Sequence, residues 1–189
     1  MKNAPVEKKN SMAKYAAFLR GINVGGNKLV KMEDLKKAFL ALGFQNVKTL
    51  LASGNVLFET SKSSTNVLAG KIEEKLKSAL GHEVGVIVRP VAELQRLVDL
   101  NPFEKIKVTP RTRLYVTFLP QKPKAVLKLP YESPEKDFRI LQASESEVCS
   151  VITLSPTRQT TELMAFLDKE FGKRVTTRNW NTIVKILKG

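Results

Sequence analysis

The chain has 189 residues, 42% of them apolar and 26% charged, and 32 basic against 18 acidic side chains give a formal net charge of +14. That is enough chain to bury a sizeable core, as one domain or two small ones. A single cysteine, Cys149, excludes an intrachain disulfide, and with His82 as the only histidine it excludes the usual thiolate and imidazole metal clusters, though not a carboxylate site for magnesium.

Residues 1–13 read as a solvated tail: they carry lysines but lack the apolar core of a signal peptide. Residues 15–19 read as a buried strand that empties into a loop rich in glycine, asparagine and basic side chains. Met32, Leu35, Ala38, Phe39 and Leu42 then recur at helical spacing, with Glu33 and Asp34 in the first turn where the helix dipole favours them. Residues 47–52 and 56–59 form a predicted hairpin around Ser53-Gly54-Asn55. A second helix carries Leu68, Ile72, Leu76 and Leu80, with Ser64 as N-cap candidate and Gly81 as its stop. A strand at 84–88 and a short helix opened by Pro90 complete a first unit, 14–100.

Residues 101–111 hold proline and polar residues without periodicity and read as a linker. The order then repeats over 112–189: a strand at 114–119, a proline-flanked helix candidate at 122–129, a hairpin at 138–143 and 148–154, a helix at 160–171 and a short strand at 175–177. A final helix, 179–188, follows with Thr177 as its N-cap. Corresponding elements lie near 91 residues apart from the hairpin onward, while the residues themselves barely repeat. The expected fold is therefore α+β, two ferredoxin-like βαββαβ-type units in tandem with a C-terminal helix.

The chemistry concentrates in the first loop. In Arg20-Gly-Ile-Asn-Val-Gly-Gly-Asn-Lys28, Gly25 and Gly26 admit close backbone approach, while Arg20 and Lys28 bracket the loop with positive charge. Ferredoxin-like order would place this loop beside the hairpin turn, bringing Asn23, Asn27, Ser53 and Asn55 to the same edge. Such a set suits a phosphate, a carboxylate or a nucleobase edge, though glycines and asparagines also serve turns. The spacing Gly21-x4-Gly26 is that of a phosphate loop, but Asn27 stands where the lysine belongs and no Ser or Thr follows, which argues against a nucleoside triphosphatase. A single-strand RNA reader needs stacking aromatics; Tyr15, Phe18 and Phe58 are few, and Tyr15 and Phe18 point to opposite faces.

A second polar stretch, Thr176-Thr-Arg-Asn-Trp-Asn-Thr182, contributes Arg178 and Asn179, while Trp180 opens the apolar stripe of the last helix. Whether Arg178 reaches the first loop depends on how the halves pack. Cys149, in the apolar run 148–152, reads as a small buried residue and not a nucleophile. With one histidine at a helix end, no general base is evident.

Three segments together, Phe18-Leu-Arg-Gly-Ile-Asn-Val-Gly-Gly-Asn-Lys28, Ala52-Ser-Gly-Asn-Val56 with Phe58, and Thr176-Thr-Arg-Asn-Trp-Asn-Thr182, resemble the bacterial domain-of-unknown-function family 1697. The resemblance runs from about residue 14 to the C-terminus. It implies a duplicated α+β fold and carries no activity, cofactor or catalytic residue. The charge excess is even over the two halves, 16 basic and 9 acidic in both 1–100 and 101–189, and serves either solubility or attraction of polyanions. The leading expectation is a cytoplasmic binding module for a phosphate-bearing ligand, nucleic acid or nucleotide, with no membrane partner. Its site would comprise Arg20, Asn23, Gly25, Gly26, Asn27, Lys28, Ser53, Asn55, Arg178 and Asn179. An enzyme acting on a small anionic metabolite and a structural or protein-interaction role are the alternatives.

Overall fold

The tract Tyr15-Ala-Ala-Phe-Leu19 has no charged side chain and is apolar but for the Tyr15 hydroxyl, so a strand made from it is best covered on both faces. The computed structural model, which describes residues 11–23, 29–51, 53–124, 127–155 and 160–188, covers it in that way. In β1 (Met12–Leu19), Tyr15, Ala17 and Leu19 face α1 (Met32–Leu40) and α2 (Thr65–Leu80). Ala16 and Phe18 face the other half of the molecule.

The first sheet adds β2 (Gln45–Leu50), β3 (Asn55–Ser61) and β4 (Val86–Pro90) in the order β2-β3-β1-β4, with every pairing antiparallel. After α3 (Val91–Leu100) and the connection 101–111, the second sheet contains β5 (Thr112–Phe118), β6 (Tyr131–Glu132), β7 (Phe138–Ala143), β8 (Glu147–Thr153) and β9 (Thr176–Asn179), ordered β6-β7-β8-β5-β9. Taken in chain order, β5, β7, β8 and β9 occupy the places of β1, β2, β3 and β4. Two helices complete this half, α4 (Thr161–Phe171) and α5 (Trp180–Lys188).

The protein is thus α+β, with two antiparallel sheets and, among the described residues, five helices. The helix expected at 122–129 is not present among the described residues; the next element is the short edge strand β6, at 131–132. Pro123 and Pro130 disfavour helical backbone at the residues before them, Lys122 and Leu129, the two ends of the expected helix. Among the described residues the second half therefore has no helix between β5 and β7. The last helix also differs from expectation in its cap. β9 runs to Asn179, whose Oδ1 accepts the Asn181 N–H at 3.0 Å, so Asn179 and not Thr177 is the N-cap.

The two sheets meet through a shared core. Phe18 and Phe118 stack at 4.3 Å between centroids, 17° from parallel, with Leu57, Ile87, Val116 and Cys149 around them. Leu94 and Leu97 of α3 and Ile183 and Ile186 of α5 close this layer, and Trp180 lies edge-on to Phe103 at 5.0 Å. Each sheet has a further core on its outer face. Burying one Phe of this kind contributes about 1.5–3 kcal/mol. No helix among the described residues is long and apolar enough to cross a membrane.

Candidate functional site

Where β1 ends, its last amide must find an acceptor outside the ladder. Leu19 N–H donates to Gly54 O at 2.8 Å, which draws the β2–β3 turn against the end of β1. Gly54 sits at φ +73°, and a Cβ there would lie 3.0 Å from Leu19 Cβ, so both the backbone conformation and the close approach call for glycine. Asn55 begins β3 and is not part of the turn, as the sequence reading had it. It is 1% exposed, and its amide donates to Leu50 O and Ser53 Oγ at 3.1 and 3.0 Å.

Arg178, from the other half, fills the mouth between these segments. Its Nε donates to Asn55 Oδ1 at 2.7 Å, and Nη1 donates to Thr176 Oγ1 and Thr177 O at 2.9 and 2.8 Å. Nη2 donates to Leu19 O at 2.6 Å and, less closely, to Ser53 O and Gly54 O at 3.2 and 3.5 Å. A guanidinium has five N–H donors, and these contacts occupy all of them. Burial pushes the group down to about 10, which leaves it protonated at neutral pH. Its carbon lies 5.7 Å from the Phe18 ring centroid, adding a cation–π contact. Arg178 therefore does reach the first loop's edge, as a cross-link between halves.

Several other predicted residues are held in the same structural way. Asn23, at φ +58°, donates to Val30 O at 3.1 Å and accepts Val30 N–H at 2.7 Å, clamping the chain on either side of 24–28. Gly25, Gly26, Asn27 and Lys28 lie outside the described residues. Arg20 leaves the mouth and pairs with Asp168 of α4 at 3.1 Å, with 38% and 37% of the two side chains exposed. Cys149 is buried, and its thiol is pushed up to about 12 by burial and by Glu147. Among the described residues no three His, Cys, Asp or Glu side chains gather as a metal site.

The sequence reading missed Arg89, which mirrors Arg178 from the opposite half. Its Nη2 donates to Leu119 O at 2.5 Å and Ser146 O at 3.0 Å, and its carbon stands 5.8 Å from the Phe118 centroid. Leu119 N–H donates to Ser146 O at 2.8 Å, as Leu19 does to Gly54. The registers agree as well. Phe18 pairs with Asn55 on one side and Ile87 on the other, and Phe118 pairs with Glu147 and Thr176. The halves thus exchange arginines across the Phe18–Phe118 stack in a near-twofold arrangement.

Beside this crossing the halves leave an open groove. One lobe, about 620 Å³, is lined by Arg20, Lys77, Lys173 and Arg174, together with Glu73, Glu74 and Glu83. A second, of about 550 Å³, runs on along the exposed edge of β4 and includes Arg89, Gln121, Thr65 and Asn66. Both volumes fall within the range of small-molecule sites. Ion pairs already exist here: Arg174 with Glu73 at 3.2 Å and Lys77 with Glu83 at 2.8 Å. Exposed pairs of this kind contribute about 0–1 kcal/mol, so a ligand can replace them at little cost. Glu73 has a second duty, accepting Val86 N–H of the β4 edge at 2.9 Å. The aromatic side chains of β1 and β3 offer no platform to a base: Tyr15, Phe18 and Phe58 are 2%, 0% and 0% exposed.

The family described as "Protein of unknown function (DUF1697)" matches over residues 12–148. No curated protein matches the chain. Among solved structures, a conserved bacterial protein, SP0830 from Streptococcus pneumoniae, superposes with a TM-score of 0.68 over 94% of this chain and 98% of its own, at 21% identity. That likeness concerns the fold.

Proposed function

The chain belongs to the DUF1697 family of proteins of unknown function, and since that membership transfers no activity we propose from the geometry that it binds a small phosphate-bearing ligand, of nucleotide size, in the groove between its halves. One observation carries the reading: Arg20, Lys77, Lys173 and Arg174, from both halves, line a single cleft of about 620 Å³. Concave shape with convergent cations favours a small anion. The net charge of +14 would raise the local concentration of such a ligand. The same reading takes 14–100 and 112–189 as ferredoxin-like units in tandem, joined by 101–111, an arrangement the matching strand order and reciprocal registers support. It places the protein in the cytoplasm, consistent with its lone buried thiol. Relative to the sequence expectation, the site moves from the loop at 20–28 to the groove that Arg20 overlooks.

The test is titration with a nucleoside monophosphate and, separately, a short labelled single-stranded oligonucleotide, each across a salt series. The wild type stands beside a Lys173→Ala, Arg174→Ala double variant. The expected result is saturable, salt-tolerant stabilisation by the nucleotide, about 2.7 kcal/mol at a hundredfold excess over Kd, with at least tenfold weaker binding in the variant. Oligonucleotide binding that falls steeply with salt, about 0.7 in log–log slope per phosphate neutralised, with no nucleotide effect, would replace this reading with a nucleic-acid one. No effect of either ligand would leave the groove without a role and sink the proposal.

A further inference from the structure

Building on the groove reading, we propose that the Val86 amide and the Arg174 guanidinium form the seat for a phosphoryl oxygen of the ligand. In the free protein the Glu73 carboxylate holds that seat as an internal stand-in. All three residues line both lobes of the groove and so stand where the lobes join. A single oxygen, Glu73 Oε1, accepts from both donors, Val86 N–H at 2.9 Å and Arg174 Nη2 at 3.2 Å. One donor belongs to the edge strand of the first sheet and the other to the connection between α4 and β9, so this oxygen bridges the halves. An anionic oxygen held by a main-chain N–H and an arginine occupies the surroundings that suit a phosphate oxygen.

The fold itself does not call for a carboxylate here, as the near-twofold arrangement shows. Phe18 lies opposite Ile87 and Phe118 opposite Thr176, which makes Val175 the counterpart of Val86. Val175 N–H donates to a main-chain acceptor, Gly172 O, at 3.4 Å. Gly172 and Gly81 correspond in turn, as the residues that end α4 and α2. Two residues separate Gly172 from Val175, whereas four separate Gly81 from Val86. The longer connection of the first half leaves the edge amide to a side chain. On α4 the place of Glu73 falls to Met164, since the buried pair Ile72 and Leu76 matches Leu163 and Leu167. Met164 carries no carboxylate.

An acceptor that can move away is what such a seat needs. Val86 is 5% exposed, and a buried amide without an acceptor is costly, so the seat stays filled by Glu73 or by a ligand. The ion pair is by contrast readily exchanged, because the Arg174 side chain is 73% exposed. Glu73, itself 28% exposed, can turn to solvent as the phosphate enters. Lys173 lines both lobes beside the seat and balances the charge that a phosphate dianion has beyond a carboxylate.

The experiment uses the full chain and adenosine monophosphate, followed by calorimetry and by amide NMR. Glu73→Gln keeps an oxygen for Val86 N–H and removes the competing charge. It is expected to bind the nucleotide about fivefold more tightly than the wild type. A purely structural Glu73 would give the opposite, a less stable protein with unchanged or weaker binding. In the wild type, saturation should also shift the Val86 amide resonance, which decides the matter if Glu73→Gln fails to fold. Suppose that Glu73→Gln binds no better, or that the Val86 resonance stays in place, while the Lys173→Ala, Arg174→Ala variant still loses affinity. Either result would overturn the stand-in and leave the groove reading standing. If neither wild type nor Glu73→Gln binds the nucleotide, both readings fall together.

Discussion

Two arginines cross between the halves by the same route, and they end differently. Arg178 reaches from β9 over Phe18 to the end of β1, and every donor finds a protein acceptor. Arg89 reaches from β4 over Phe118 to the end of β5, and its Nε finds none among the described residues. The backbones at the two places agree closely, so the difference rests on side chains: Asn55 and Thr176 on one side, Glu147 and Ile87 on the other. Two sheets of matching strand order offer similar geometry twice, and the pair shows which copy is completed from within. The copy rich in conspicuous polar residues is the one already saturated, and the plainer copy retains unused donors. An inventory of polar residues therefore points to the copy whose arginine donors are already taken by the protein.

The largest expected effect tests whether saturation stabilises. Arg178→Ala strands the Leu19 carbonyl, Asn55 and Thr176 without their donor, and should cost about 3–5 kcal/mol in urea denaturation. Arg178→Lys should recover less than half, since an ammonium cannot reproduce the fork. Arg89→Ala should cost clearly less. Equal losses at the two positions would mean that the unused donors are not a deficit.

Next comes the turn that receives Arg178. Gly54→Ala is expected to cost about 2–3 kcal/mol, because it combines a left-handed backbone with the 3.0 Å approach to Leu19 Cβ. Gly43→Ala is the control. It shares the positive φ, +78°, with nothing within 4 Å of the added methyl, and should cost only about 1 kcal/mol. Similar losses would show that the approach of turn to strand is not tight.

A smaller change converts one arginine into the likeness of the other. Asn55→Ala removes the acceptor of Arg178 Nε and leaves it as Arg89 is, at a cost of about 1–2 kcal/mol by thermal melting. Were this substitution neutral, an unpaired Nε would carry no penalty here, and the contrast between the two crossings would lose its energetic meaning.

Much of the fold was legible in the residues, because periodicity records burial. The unbroken apolar run of β1, the stripe Leu68-Ile72-Leu76 in α2 and the stop at Gly81 all correspond to observed elements. The helix expected at 122–129, a proline-flanked candidate placed by the repeating order of elements, is absent among the described residues. The family resemblance agrees with the match over 12–148, though the segment carrying Arg178 lies outside that match. The site was less legible, since the role of a polar group depends on where the halves place its acceptors, 123 residues away in the case of Arg178 and Asn55. Arg89 did leave one local signal. In Val86-Ile-Val-Arg-Pro90 the arginine shares its face with Ile87, a parity that puts a cation toward the interior.

Cys149 offers the mildest test, from inside the shared core. It pairs with Val116, whose neighbour on the other side is Arg178, so its thiol lies one strand from the saturated crossing. Burial raises this thiol from its ordinary 9.0 to about 12. Below pH 9 both folded and unfolded chains keep the proton, and the group adds no pH dependence. Above it the unfolded chain ionises while the folded one does not, so stability falls as pH rises, by about 1 kcal/mol at pH 10. Cys149→Ala should remove that component when wild type and variant are compared at pH 8 and pH 10. Labelling by a thiol reagent at pH 8 should then require opening of the core and be faster in Arg178→Ala than in Arg89→Ala, with the logarithm of the rate rising in proportion to the stability each variant loses. Equal labelling rates would mean that the two crossings hold the core equally, and slower labelling in Arg178→Ala than in Arg89→Ala would reverse the order of strength assigned to them.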